Sequence, residues 1–395
     1  MSQRQAISYR ALAGAIVLML TLAACSSGSG DTSGDGSSSD DPASSDDPAS
    51  PDGTASPDGT GLGDAIASNT RGQRVRTLGQ GAPVLSPQTP RDRLANGLAP
   101  AVGAPLFEGD YADPFVLAVG PVLYLYTTNT VDQNVPVLKS AAGFVGVPTG
   151  DALPELPDWT EPGLVWAPSV LQTDDGFVLY YTSKDSESDL QCVGAAFSET
   201  PTGPFVDDQG GPFVCQRDLG GTIDASPFVD EDGTKWLLYK NDGNCCDILT
   251  EIWSQKLSDD GLSLEGDPVS LLQTSESWEG PLIEGPSMTR SGDRYWLLYS
   301  ANWWDSADYT VGAASCDSPT GPCTKVGQPW LASHHEASGP GGAEDFTDVQ
   351  GNHWVVYHAW TSDTIGYDDG GTRSLFAVPL DLDGEVPVPA GVDGS

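Results

Sequence analysis

The chain is poor in positive charge, in histidine and in long apolar runs. Only 17 of its 395 residues are Lys or Arg against 56 Asp or Glu, a formal net charge of −39. A phosphate backbone would be repelled, which argues against a nucleic-acid partner. A neutral glycan is an easy partner for so acidic a surface. The four histidines all lie after residue 333, and no paired Cys-x-x-Cys motif occurs, so the pattern argues against a zinc site. No amphipathic helical stretch of ordinary length competes with the short strand-like runs.

The one pronounced apolar run, residues 11–22, is too short for a membrane span, which needs about 20 residues. It follows Arg4 and Arg10 and ends in Leu22-Ala23-Ala24-Cys25. That is the form of a bacterial export signal closing on a lipobox. Residues 1–25 are therefore expected to be a lipoprotein signal, with Cys25 lipidated and membrane contact confined to that anchor. Residues 26–104 are expected to be a tether and arm. Up to about residue 60 they are almost entirely Ser, Gly, Asp, Pro, Ala and Thr, which bury too little to offset chain entropy. The expected product is an exported, cell-surface lipoprotein.

Setting Cys25 aside leaves six cysteines, an even number consistent with disulfides in an exported chain. Local spacing favours Cys192 with Cys215 and Cys316 with Cys323. Cys245-Cys246 would be a vicinal bridge, with two free thiols as the alternative.

Residues 105–392 carry a repeated hairpin in which a strand, a turn and an aromatic-aliphatic strand close on tyrosine. The closing runs are Leu123-Tyr124-Leu125-Tyr126, Leu179-Tyr180-Tyr181, Trp236-Leu237-Leu238-Tyr239, Trp296-Leu297-Leu298-Tyr299 and Trp354-Val355-Val356-Tyr357. Turn formers such as Asp175-Gly176, Asp232-Gly233 and Gly292-Asp293 precede them. Most copies add a third strand, as at 193–197 and 311–315. Five matched copies predict an all-β, five-bladed β-propeller behind a disordered acidic tether.

Blades aim their first strands at a common axis, so equivalent positions face one another. Asp224 and Glu284 lie fifteen residues before their closing tyrosines, as does Trp166, and Asp113 lies thirteen before Tyr126. Three acids and a tryptophan on nearly one rung suit glycoside hydrolysis. One carboxyl donates a proton to the leaving oxygen, another activates water, and a third can raise the donor's pKa. Glu279 is a rival to Glu284, but it breaks the register and falls at an odd offset along a strand. Asp230-Glu231-Asp232-Gly233 lacks the later ligands of a calcium loop and reads as a hairpin turn.

Several segments resemble the family 43 glycoside hydrolases. They are Tyr111-Ala112-Asp113-Pro114, Trp166-Ala167-Pro168, Ile223-Asp224, Glu284-Gly285-Pro286 with Leu298-Tyr299-Ser300-Ala301-Asn302, and Val356-Tyr357-His358-Ala359. The resemblance implies an inverting enzyme on arabinose- or xylose-containing plant polysaccharide. It would be an α-L-arabinofuranosidase or arabinanase, with β-xylosidase or a non-catalytic glycan-binding propeller as alternatives. Carried over, Asp113 is the general base, Asp224 the pKa modulator and Glu284 the general acid. Trp166, Asn302, Trp303 and Arg373 are the substrate-contacting candidates. Of the adjacent Trp303 and Trp304, one is expected to stack on sugar and the other to pack. No cofactor is required for the chemistry. The resemblance also implies an axial calcium ion near His358, with a hydrogen-bonded strand histidine as the equal alternative. Ser169 and Gly342-Ala343-Glu344-Asp345 depart from the family pattern.

Overall fold

The computed structural model describes residues 104–140, 146–361, 364–382 and 386–390. Residues 1–103, where the export signal, Cys25 and the tether are expected, lie outside them.

Among the described residues nineteen strands form five sheets. Blade 1 holds β1 (Phe115–Val119), β2 (Val122–Tyr126), β3 (Pro136–Ser140) and β4 (Val147–Asp151). Blade 2 has β5 (Trp166–Gln172), β6 (Phe177–Lys184) and β7 (Gln191–Ser198). Blade 3 has β8 (Thr222–Val229), β9 (Lys235–Asn241), β10 (Glu251–Leu257) and β11 (Leu264–Gln273). Blade 4 has β12 (Ile283–Ser291), β13 (Arg294–Ala301), β14 (Thr310–Cys316) and β15 (Cys323–Lys325). Blade 5 has β16 (Ala337–Thr347), β17 (His353–Thr361), β18 (Arg373–Asp381) and β19 (Val388–Pro389). Every sheet is an antiparallel meander in sequence order, so each repeat folds on its own hairpins. Among the described residues helix is confined to three-residue 3₁₀ turns. The expected propeller is the observed fold.

The closing tyrosines explain why the repeat is spelled as it is. Tyr126, Tyr181, Tyr239, Tyr299 and Tyr357 are all fully buried, and each hydroxyl finds a partner. Tyr126 donates to the Pro201 carbonyl, Tyr181 to Asp207, Tyr239 to Gln255 and Tyr299 to Glu279, while Tyr357 bonds His334. A large ring fills the space between blades while its polar tip stays satisfied. Gly312 leaves room for one of them: a Cβ there would lie 2.4 Å from the Tyr299 ring.

The ring of blades is closed by the start of the domain. Leu106 N–H donates to Leu375 O (2.7 Å), Leu375 N–H to Phe107 O (3.1 Å) and Tyr111 N–H to Arg373 O (2.8 Å). Leu106 and Phe107 bury beside Trp354 and Leu375, so blades 1 and 5 share one core. All three expected disulfides are present: Cys192–Cys215, Cys245–Cys246 and Cys316–Cys323.

Candidate active site

Each blade carries a residue in the left-handed backbone region before or within its innermost strand, where that strand faces the cleft. These are Asp113 (φ 49°), Ala167 (43°), Asp224 (57°), Gly285 (56°) and Gly342 (55°). Three are not glycine, and such a residue costs on the order of 1–3 kcal/mol unless its surroundings enforce it. The enforcing contacts come from neighbouring blades. Asp113 N–H donates to His358 Nδ1 (3.0 Å), Ala167 N–H to Thr128 Oγ1 (2.9 Å), Asp224 N–H to Thr182 Oγ1 (3.3 Å) and Gly342 N–H to Ser300 Oγ (2.9 Å). In each case the acceptor sits just after the closing tyrosine of the preceding blade around the ring.

Blade 3 breaks the pattern because that slot holds Lys240, which cannot accept a hydrogen bond. Gly285 N–H turns instead to Asp224 Oδ2 at 2.9 Å. Lys240, fully buried, places its ammonium 3.1 Å from Glu284 Oε2 and 3.5 Å from Asp242 Oδ1. One substitution in a repeated hydrogen bond thus puts a cation among the carboxyls.

The register expectation needs one correction. Glu284 pairs with Ser300 and Trp166 with Thr182, whereas Lys240 pairs with Ile223. Asp224 therefore matches Gly285, and Glu284 sits one position earlier. Counting back from tyrosine slipped because the turns differ. Blade 3 places residues 230–234 between its last paired positions, and blade 4 places only Gly292 and Asp293 there.

The three acids nevertheless line one cleft of about 700 Å³, together with Trp166, Tyr309 and Arg373. Glu284 accepts from Tyr309 OH (2.8 Å) as well as from Lys240. Asp113 accepts from Thr128 Oγ1 (2.6 Å) and lies 3.7 Å from Arg373 Nη1. Asp113 and Asp224 diverge in proton affinity. Burial pushes Asp113 upward, but Arg373, His358 and the Thr128 hydroxyl outweigh it and hold its pKa below the ordinary value. His358 is itself driven down to about 3, by burial first and by Arg373. The ring is neutral at neutral pH, so Arg373 and Thr128 are the partners that act there. Asp224 moves the other way, up to about 8, through burial and then the Glu284 charge, against Lys240. Neighbouring carboxyls pushed apart in this way are suited to opposite roles in acid–base chemistry.

Other expected residues fall elsewhere. Asn302 does not line the cleft: it turns the chain (φ 72°), with its Nδ2 on the Trp278 carbonyl at 2.7 Å. Trp303 is 47 % exposed and outside the cleft; Trp304 is the member that lines it, stacked on Trp360 and 4.7 Å from the Arg373 guanidinium. Glu279 is buried away from the cleft in a bridge to Lys325. It also caps the 3₁₀ turn Ser277–Glu279. The Asp230 turn is the expected hairpin, its carboxylate held by Arg290 and Tyr295.

The departures from the family pattern lie at the cleft floor. Ser169 donates to the Ala225 carbonyl at 2.5 Å. Glu344 takes the Ser226 hydroxyl at 3.0 Å, and burial with the nearby Asp345 raises its pKa well above the ordinary value. His358 Nδ1 already accepts the Asp113 amide, so the proton of the neutral ring sits on Nε2. That atom is buried without a partner and is a donor, not a cation ligand. Among the described residues no three metal-ligating side chains cluster. These donors do not fit a calcium site built from protein atoms. Lys240, Thr128 and Tyr309 were missed by sequence reasoning. Lys240 was legible as the odd member of the slot that follows each closing tyrosine.

A propeller whose axial cleft gathers carboxyls of divergent proton affinity defines a hydrolase of glycosidic bonds. The family model of the glycosyl hydrolases family 43 matches residues 102–385, and the chain belongs to that family. The β-D-galactofuranosidase xynD of Aspergillus niger is 27% identical over 278 residues, covering 65% of this chain and 76% of that protein. A probable arabinan endo-1,5-α-L-arabinosidase A of Aspergillus flavus is 28% identical over 232 residues, 53% of this chain and 68% of that one. The crystal structure of a thermostable family-43 glycoside hydrolase superposes with a TM-score of 0.64 at 29% identity, covering 71% of this chain and 93% of that one. The chain is a glycoside hydrolase that acts on O-glycosyl bonds.

Proposed function

We propose that the enzyme hydrolyses α-L-arabinofuranosyl linkages in plant polysaccharide with inversion, using Asp113 as general base, Glu284 as general acid and Asp224 as modulator. The observation that carries this reading is the contrast in one cleft between Asp113, held ionised, and Asp224, held protonated to about pH 8. Asp113 takes a proton from water as its oxygen bonds to the anomeric carbon. Glu284 gives a proton to the departing oxygen as the glycosidic bond breaks. Tyr309 and Lys240 hold Glu284 in place, and Asp224 supplies proton capacity beside it. Trp166 and Trp304 offer aromatic faces to sugar C–H surfaces.

The proton held on Asp224 favours one rival assignment, in which Asp224 itself is the donor. Substrates with activated leaving groups separate the two, because such groups need no protonation. Whichever alanine variant, at 224 or 284, recovers on them is the donor. Inversion predicts a product of opposite anomeric configuration by NMR at early times, and net retention overturns it.

A furanose substrate is supported by the relative named as a β-D-galactofuranosidase, and arabinose by the relatives that include one named as an arabinan endo-1,5-α-L-arabinosidase. The galactofuranosidase among them favours a second reading, β-D-galactofuranoside, on the same furanose ring scaffold. Rates on the 4-nitrophenyl α-L-arabinofuranoside, β-D-galactofuranoside and β-D-xylopyranoside decide among these and the xylosidase alternative. We further read the chain as an exported lipoprotein: signal 1–25, tether and arm 26–104, catalytic propeller 105–392.

A further inference from the structure

The vicinal disulfide Cys245–Cys246 has no part in the chemistry above, and its placement is unusual. A bridge between neighbouring residues closes almost no chain, so it removes little entropy from the unfolded state. Cys192–Cys215 and Cys316–Cys323 span 23 and 7 residues and are buried or half-buried, as stabilising bridges are. Both residues of the vicinal pair are instead exposed, on the turn that follows β9, with Cys245 Sγ 3.5 Å from the Gly220 carbonyl.

That turn is a wall of the cleft. Asp242, Asn244 and Cys245 all line it. The turn is folded tightly by Cys246 N–H to Gly243 O (3.0 Å) and Ile248 N–H to Gly243 O (2.9 Å). Asn244 Oδ1 accepts from Lys240 Nζ at 2.5 Å, and Lys240 in turn holds Glu284. With Oδ1 occupied, the NH₂ end of the Asn244 amide is left to face a ligand. The wall thus presents Cys245, with Cys246 bonded behind it, beside one amide donor that Lys240 ties to Glu284. Sulfur is polarizable and weakly hydrated. Such a surface suits the C–H face of a neutral sugar whose hydroxyl meets the amide.

We propose that Cys245–Cys246 and Asn244 form the subsite for the leaving-group sugar and set the preference for oligosaccharide over simple aryl glycosides. The proposal rests on the reading of Glu284 as the acid that faces the leaving group. A disulfide here supplies an apolar contact that a solvated loop could not hold in place.

The test compares wild type with Cys245→Ala/Cys246→Ala on two probes, linear α-1,5-arabinotriose and 4-nitrophenyl α-L-arabinofuranoside. If the enzyme cleaves β-D-galactofuranosides instead, the matching pair of that sugar replaces them. The expected result is a roughly tenfold loss of kcat/KM on the trisaccharide, mostly in KM, with the aryl glycoside within about twofold, as lost ground-state binding requires. The melting temperature should move by only about 2 °C. Phosphine reduction of the exposed pair in wild type, followed by mass, should reproduce the selective loss without any substitution. Equal losses on both probes, or no loss on either, overturn the subsite. Failure of the underlying reading is seen separately: Glu284→Ala would then show no recovery on activated leaving groups.

Discussion

At the scale of single residues, the lysine in blade 3 does most to distinguish this ring from a plain structural repeat. Lys240 lowers the proton affinity of Asp224, whereas burial and Glu284 raise it. Lys240→Met keeps the volume and removes the charge. The basic limb of the pH–rate profile should then move to higher pH, and kcat should fall by roughly tenfold or more as Glu284 loses its anchor. An unchanged limb would show that Asp224 does not govern it. Linkage gives a second, independent reading. The folded pKa of Asp224, about 8, lies above its ordinary 3.8, so its contribution to stability is full below about pH 4 and is lost as pH rises through 8. Chemical denaturation of wild type and Asp224→Asn across that range should show a steeper decline for wild type. Asp113→Ala should stay nearly inactive on every leaving group, because the attack of water is lost.

At the scale of elements, each blade is a meander whose fit depends on small residues opposite large ones. Gly312 on β14 faces Tyr299 and Trp278, where an added Cβ would come within 2.4 Å and 2.6 Å. Gly312→Ala should destabilise the fold by about 1–3 kcal/mol, read by denaturant midpoint, without altering the pH profile. The bridge between Glu279 and Lys325 joins the 3₁₀ turn before β12 to β15. Both partners are largely shielded from water, so Glu279→Gln strands a cation and should cost about 3–5 kcal/mol. The folded fraction should keep its activity on aryl glycosides. If that variant folds normally but loses polymer cleavage, Glu279 and not Glu284 is the acid. The element boundaries were largely legible in the sequence, because turn formers and closing tyrosines mark both ends of every hairpin. The rung of the acids was legible only to within one residue, since hairpins of different turn length cannot be aligned by counting.

At the scale of the molecule, closure depends on residues 106–111, at the start of the domain, lying on β18. Leu106→Ala and Phe107→Ala should each cost about 2–5 kcal/mol, since both side chains fill the seam between blades 1 and 5. Because Asp113 and Arg373 lie on opposite sides of that seam, the loss should also weaken binding at the cleft. Outside the propeller, Cys25→Ser should release the enzyme into the medium or leave it unprocessed. Wild-type enzyme that is wholly soluble and cleaved elsewhere would end the lipoprotein reading.

Composition and the five-fold repeat determined the fold class and placed three acids near one axis, and the cysteine spacing favoured the disulfide pairs while leaving Cys245 and Cys246 open as free thiols. Those are properties of local hairpins and short loops, which a sequence encodes directly. The tertiary structure alone decided that Trp304 rather than Trp303 meets the cleft, that Asn302 turns the chain, and that Lys240 reaches Glu284. It also decided how strongly each carboxyl holds its proton. That affinity depends on burial and on charges brought from other blades, and such neighbours exist only once the ring has closed.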